Sequence, residues 1–410
     1  MEIRPILSVL LRNKIAPLLV ALQVAISLAV LTNALYIVTL RYEAANRSSG
    51  IAEERAVFMI SLSPLTKPSF ADTLAQQQRD RDALAALSGV VSVASVNQMA
   101  MTQSGWSTHV SIERTQVQPT ALAAQYLSPD LLIKTLGLNL VEGRDFNADD
   151  IEEVDIDQAD PKLNKVIVTL ALAQALYPGA VSVVGKKMFF GTGADANESQ
   201  IVGVVQRLQT PGAATGNRGE YSVIVPVRTS IRAAQFVVRT DPAQRDRIMR
   251  DAETSLRKIT PYPVIVKVKS LDAIRADRYR DDRTLAWMLV AVSGLLLLVT
   301  ASGIVGMTTL WISQRRKQIG VRRALGARRV DILRYFITEN LLITSGGIVA
   351  GLILAVGLNQ FLVTQLEMSK MPLGYLAAGS VLLWLLGVFA VFGPARRASA
   401  ISPAIATRAT

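Results

Sequence analysis

Four stretches of this chain contain no charged residue: 15–40, 284–314, 340–366 and 371–395. Each exceeds the ~20 apolar residues that a helix needs to cross a hydrocarbon layer about 30 Å thick. Within such a layer the backbone has no water to bond to, so a spanning segment closes its own hydrogen bonds as a helix. Arg4, Arg12 and Lys14 precede the first run, as they would in a cleaved leader. However, 26 uncharged residues are long for a leader, and no small-x-small cleavage signal follows in "LYIVTLRYEAANR". The pattern predicts four transmembrane helices, with a large domain at 41–283 between the first and the second.

The net charge of +12 and pI near 10 would suit a nucleic-acid binder, but the charge is unevenly placed. Residues 41–283 hold 29 basic and 28 acidic side chains, whereas the rest of the chain holds 15 and 4. Basic residues in short loops mark the cytoplasmic side of a membrane. They gather in segment 1–14, in 315–335 and in the tail 396–410 (Arg396, Arg397, Arg408), and only Lys370 falls in the opposite short loop. The expected topology therefore has both termini and 315–335 in the cytoplasm and 41–283 outside. A basic loop pinned between two spans is poorly suited to reach DNA, which argues against a nucleic-acid partner.

Residues 41–283 alternate strand-like and helix-like patterns. "AVFMISLSP" reads as a strand, "FADTLAQQQRDRDALAAL" as a helix ended by Gly89, and "VVSVASVNQ" and "STHVSIERT" as strands. A second set follows, with "AAQFVVRT", the helix "DPAQRDRIMRDAETSLRKI" starting at Asp241 and Pro242, and "YPVIVKVKS". The two sets predict one α/β lobe from 56–117 and 229–283, with a β-rich insert at 118–228. Gly-rich "FFGTGADANESQ" reads as a hairpin tip.

Signals for chemistry are weak. There is no cysteine and a single histidine, His109, which excludes disulfides, thiolate sites and any centre needing two histidines. "GAVSVVGKK" has the wrong spacing for a phosphate-binding loop. The acidic run "NADDIEEVDIDQAD" (Asp149, Asp150, Glu152, Glu153, Asp155, Asp157, Asp160) lacks the Gly and terminal Glu of a calcium loop and reads as a solvated loop. No catalytic, cofactor-binding or metal-binding residue is predicted.

"QRRKQIGVRRALGARRVDILRYFITEN", 314–340, is the most distinctive stretch. Arg315 and Arg322, and likewise Arg316 and Arg323, stand seven residues apart, close to one helical face. Gly326 can end that helix in a left-handed conformation. A second amphipathic stretch follows, with Val330, Leu333 and Ile337 on one side and Ile332 and Phe336 beside them. The segment suits a docking element, with topology-setting charge as the simpler alternative. Gly347 and Gly351 allow close helix packing, read as contacts within this chain's bundle more readily than as a dimer seam. Pro17, Gln23 and Asn33 either line a path or bond to neighbouring helices.

The stretch from Arg315 resembles the signature of FtsX-like ABC transporter permeases of the MacB type. In that family an R-R-x-E-I-G-x-R-R-A-L-G-A segment precedes a helix carrying a carboxylate at the membrane edge. The ending "GPARRASAISPAIATR" is similar to the family's P-A-x-R-A-x-x-x-x-P-x-x-A. "YLSPDLLIKTLGLNLVEGRDF", "VVGKKMFF" and "IVGVVQ" resemble its periplasmic core more loosely. The resemblance implies an α-helical inner-membrane protein with four transmembrane helices and a mixed α+β periplasmic domain between the first and second. Its parts would be 1–14 and 396–410 in the cytoplasm, spans at 15–40, 284–314, 336–366 and 371–395, and a coupling segment at 315–335. It implies a non-enzymatic permease subunit driven by a separate ABC ATP-binding subunit, since no ATPase domain precedes the first span. The permease would pair with a second permease, identical or different, and leaves room for a periplasmic adaptor and an outer-membrane duct. ATPase contact would fall to Arg316, Gln318, Ile319, Gly320, Arg323, Ala324, Leu325, Gly326, Arg334 and Glu339. Glu339 is expected to bond to Arg334 or to the docking helix. Gln318 replaces the family's usual Glu and removes a charge. Two other readings are a signalling scaffold that relays ATPase motion without transport, and a membrane-bound enzyme, which the missing site disfavours.

Overall fold

The computed structural model of the protein describes residues 15–66, 68–103, 105–155, 163–194, 196–230, 233–366 and 370–400. Arg4, Arg12, Lys14, Asp157, Asp160 and Arg408 lie outside them. The chain forms two compact units, one from residues up to Tyr42 with those from Asp282 onward, the other Glu43–Asp281.

The first helix, α1, is described over Ile15–Asn46 and holds one proline, Pro17. The second unit then runs β1 (Val57–Pro64), α2 (Phe70–Ala85), β2 (Val90–Ser95), β3 (Ser107–Ser111), β4 (Ala121–Leu127), α3 (Leu132–Leu136) and β5 (Leu140–Gly143). It continues through β6 (Glu152–Glu153), β7 (Lys165–Thr169), α4 (Leu170–Leu176), β8 (Lys187–Phe190), β9 (Asn197–Val205), β10 (Ser222–Val225) and β11 (Val227–Arg228). It closes with β12 (Ala234–Thr240), α5 (Arg245–Ile259), β13 (Val264–Ser270) and α6 (Leu271–Arg278).

β13, β1, β12 and β2 form an antiparallel sheet in that order. The β1–α2–β2 and β12–α5–β13 units interdigitate, so each helix crosses over a strand of the other unit, a split βαβ arrangement. Alternation along β1 and β12 sets the layers. Phe58, Ile60, Phe236 and Val238 face a core with Leu84, Ile248 and Leu256 from α2 and α5. Val57 and Val237 face the opposite way, into a core shared with Tyr126, Leu136 and Ile167. Ser69 starts α2 by accepting from the Asp72 amide at 3.2 Å. α5 begins later than Asp241: the Asp241 carboxylate takes the Ala243 amide in a tight turn, and Arg245 is the first helical residue.

The insert is a seven-stranded sheet ordered β5-β9-β7-β10-β4-β3-β8, and a further β8–β9 pairing closes six of these strands into a ring. Val110, Val168, Met188, Val204 and Val223 fill its core with Leu172 of α4. The Gly-rich stretch connects β8 to β9, and Phe190 pairs with Asn197 across it. β3, assigned from sequence to the first lobe, pairs with β4 and β8 here, so the lobe boundary at 117 falls too late. Its strand pattern was readable, but its partners are set by long-range register. In the acidic run, Asp150 is buried and bonded to Arg144 (2.7 Å) and Lys165 (2.6 Å). These bonds, with the Asn147 amide, overcome the burial that opposes ionisation and hold its carboxyl well below the usual range.

Burial pushes the Asp80 carboxyl on α2 up to about 6, against the pull of the Gln76 hydrogen bond and the Arg79 charge. The folded protein thus holds this proton more tightly than the unfolded chain. The stability it contributes is largest at low pH and is lost as pH rises from 3.8 through about 6. Asp80→Asn is expected to remove this loss and to stabilise the protein above neutral pH by up to about 3 kcal/mol. Thermal unfolding of the full chain in detergent at acidic and neutral pH checks this; identical neutral-pH transitions in the two proteins contradict it.

The helical unit continues with α7 (Arg280–Gln314), α8 (Arg316–Ala324), α9 (Arg329–Leu366) and α10 (Leu373–Ser399). α1, α7, α9 and α10 are long and apolar enough to cross a membrane. α9 runs unbroken from Arg329, so 335/336 is not a break in the helix. A Cβ on Gly351 would lie 2.9 Å from the Leu28 Cβ and 3.0 Å from the Ala25 backbone, so the glycine pair packs against α1. Asn33 donates to the Ala355 carbonyl at 3.1 Å, and Ser27 bonds Thr300 at 2.7 Å, so these polar groups join helices.

Candidate docking site at the charged end of the helical unit

The site is a helical hairpin built from α8 and the first turns of α9. α8 ends because Gly326 adopts φ 97°, a left-handed conformation that lets the chain reverse. The Ala327 amide then donates to Arg322 O at 3.0 Å and the Gly326 amide to Arg323 O at 3.2 Å, the paired bonds of a Schellman cap. α9 starts at once, as the Asp331 carboxylate reaches back to the Arg328 amide at 2.9 Å. A Cβ on Gly326 would meet nothing within 4 Å, so a side chain there pays only for backbone conformation. Gly326→Ala is expected to destabilise the hairpin by about 1–2 kcal/mol. Faster amide exchange at 325–328 with unchanged exchange in α10 checks this; unaltered exchange at the turn contradicts it.

Ile319 anchors α8 in a core with Ile332 and Phe336 of α9 and Ala395 and Ala398 of α10. Below it lies a buried ion pair. Glu339 has a side chain 1% exposed and accepts from Arg315 at 2.9 and 3.1 Å; Arg315 itself is 16% exposed. The same guanidinium donates to the Tyr335 hydroxyl at 3.3 Å and lies 5.6 Å from the Trp311 ring centre. Arg322 stacks over Tyr335 at 5.2 Å, so Arg315 and Arg322 do share a face. Arg323 donates to Ser399 O at 3.0 Å and so ties α8 to the end of α10.

The predicted contact residues separate into two groups. Ile319, Gly320 and Glu339 are buried, and Arg323 is half-buried. Arg316, Gln318, Leu325, Gly326 and Arg334 are exposed, as is Ala324. Glu339 pairs with Arg315, at the start of the expected docking helix, and not with Arg334, because five residues on a helix turn the side chain about 140° away. Val330 is exposed rather than part of the inner stripe, which is Ile332, Phe336 and Ile343. The residues expected at the contact do not include Arg315, Trp311 or Tyr335. The available signal was Glu339 itself, a carboxylate against an uncharged run, which demands a cation. The outer face carries Val321, Leu325 and Val330 among Arg316, Lys317, Arg322, Arg328, Arg329 and Arg334, all exposed. Leu325 is 83% exposed. No group of three or more metal-ligating side chains occurs among the described residues.

Four apolar helices, an α/β unit inserted after the first and a basic hairpin before the third define a polytopic membrane protein of permease type. Residues 19–255 match the MacB-like periplasmic core domain, and 290–403 match the FtsX-like permease C-terminal family. The chain belongs to the family of ABC-type permeases that combine these two domains. It is similar to the macrolide export ATP-binding/permease protein MacB of Bradyrhizobium diazoefficiens, 30% identical over 218 residues, 50% of this chain and 33% of that one. The pyoverdine export ATP-binding/permease protein PvdT of Pseudomonas syringae pv. syringae is 30% identical over 250 residues, 55% of this chain and 37% of its own. MacB of Agrobacterium fabrum is 26% identical over 274 residues, 65% of this chain and 40% of its own. The matched region thus spans a third to two fifths of these relatives.

Proposed function

We propose that this chain is the membrane-spanning subunit of an export system powered by an ATP-binding partner. The partner docks on the outer face of α8 and the start of α9, and its ATP-driven movement reaches the Glu43–Asp281 unit, which acts on cargo across the membrane. The carrying observation is the exposed Leu325, set among cations on a hairpin that the Gly326 cap and the Arg315–Glu339 pair hold rigid. An apolar centre within a polar, charged rim is the anatomy of a protein–protein interface. In this reading the hairpin and both termini are cytoplasmic, the α/β unit is periplasmic, and the working assembly holds two permeases. An adaptor and an outer-membrane duct would complete the export route.

The chain has no cysteine, so single cysteines report sidedness without background. In intact cells, Val181→Cys should react with a membrane-impermeant maleimide once the outer membrane is permeabilised. Leu325→Cys should react only after inner-membrane lysis; the reverse pattern rejects this topology. With the ATP-binding subunit in vesicles, ATP should drive cargo export. ATP-dependent change in the α/β unit without efflux would instead identify a relay to a periplasmic partner.

A further inference from the structure

The chain enters the α/β unit through 43–54 and leaves it through 271–281, so movement of α1 or α7 reaches that unit along these two segments. They share an apolar core that includes Ala45, Ile51, Leu271, Ile274 and Tyr279, and one charged side chain bonds to both. Arg275 of α6 donates from Nε to Glu54 at 2.8 Å and from a terminal nitrogen to the other carboxylate oxygen. Its remaining terminal nitrogen donates to the Ala45 carbonyl at 3.0 Å and the Arg47 carbonyl at 2.9 Å. Carbonyls at a helix C-terminus lack partners within the helix, and a cation there also meets the negative end of the helix dipole. The planar guanidinium fork serves both tasks at once, which an ammonium cannot do.

The two joined segments are held in turn by loop 206–220 of the barrel. The Gln209 amide donates to Ser49 O at 2.9 Å, and its side chain to the Tyr279 hydroxyl at 2.8 Å. The Tyr126 hydroxyl of β4 donates to Gln209 O at 2.6 Å. Arg47 donates to Gly216 O at 2.6 Å and Arg278 to Gly212 O at 2.7 Å.

We propose that Arg275 is a positioning residue that makes the two connections move as one body and passes their displacement to the barrel through loop 206–220. Without it, Glu54 and the end of α1 lose their shared cation, and the two segments keep only their common apolar core and their bonds to Gln209, a looser connection. The proposal rests on the export reading above.

The test uses the full chain with its co-purifying ATP-binding subunit in nanodiscs, with amide exchange followed by mass spectrometry with and without Mg-ATP. Wild type should show an ATP-dependent change in exchange at 206–220. In Arg275→Ala that change should fall about tenfold, the scale of an ordinary coupling between sites. ATP hydrolysis should continue, and nucleotide-free exchange in β1 and β12 should stay at the wild-type level. Arg275→Lys should recover part of the change. An Arg275→Ala protein that keeps the full change overturns the proposal alone. So does one whose β1 and β12 exchange rises in parallel without recovery in Arg275→Lys, because the role is then structural. Absence of any ATP-dependent change in wild type overturns the export reading, and this proposal with it.

Discussion

Leu325→Glu is expected to leave the protein folded in the membrane while weakening its grip on the ATP-binding subunit about 30-fold, the effect of losing one hot spot worth ~2 kcal/mol. Leu325 is 83% exposed, so it contributes little burial to this chain, and a carboxylate there is solvated. A bound partner would have to bury that charge, or meet it with a group meant for leucine. Val321→Glu, on the same exposed face, should act in the same direction. Arg323 is a less clean probe, because its bond to Ser399 O helps to hold α8 against α10. Affinity for the ATP-binding subunit, measured on permease in nanodiscs, reads the effect. Equal affinities for wild type and variant at matched expression would remove the hairpin from the docking surface.

The second large effect is expected at the Arg315–Glu339 pair. Arg315→Ala leaves a carboxylate that is 1% exposed without its cation, and removing one partner of a buried pair costs about 3–5 kcal/mol. The loss should appear as earlier thermal unfolding in detergent and as faster exchange throughout α8, because the pair ties the residue before α8 to α9. Glu339→Gln should cost less, since its amide oxygen still accepts from the guanidinium. Replacing both, Arg315→Met with Glu339→Leu, should recover most of the stability, because the desolvation penalty disappears with both charges. A double variant as unstable as Arg315→Ala would show that packing around Trp311 and Tyr335, not charge, sets the effect.

Much of the architecture is legible because it depends on local physics. Uncharged runs longer than a bilayer leave no alternative to helices. Apolar alternation marked β1, β2, β12 and β13, and Gly326 stood where a left-handed turn was needed. The rest depends on contacts between residues distant in sequence. β3 reads as a strand on its own, yet nothing local states that its neighbours are β4 and β8. Arg315 and Glu339 are 24 residues apart and meet only because the Gly326 turn folds α8 back. Val330 fits a helical stripe by spacing but lies in the first turn of α9, outside the packed core.

The β8–β9 pairing also limits how the barrel can be recognised. A strand with an unpaired side can accept a partner's backbone as an added strand. In the ring, each strand has a neighbour on both sides, and only the appended β5, Leu140–Gly143, ends the sheet. Away from the β5 edge, a partner of this lobe has to read side chains and loop shapes, so specificity there can change by surface substitution without disturbing the hydrogen bonds of the ring.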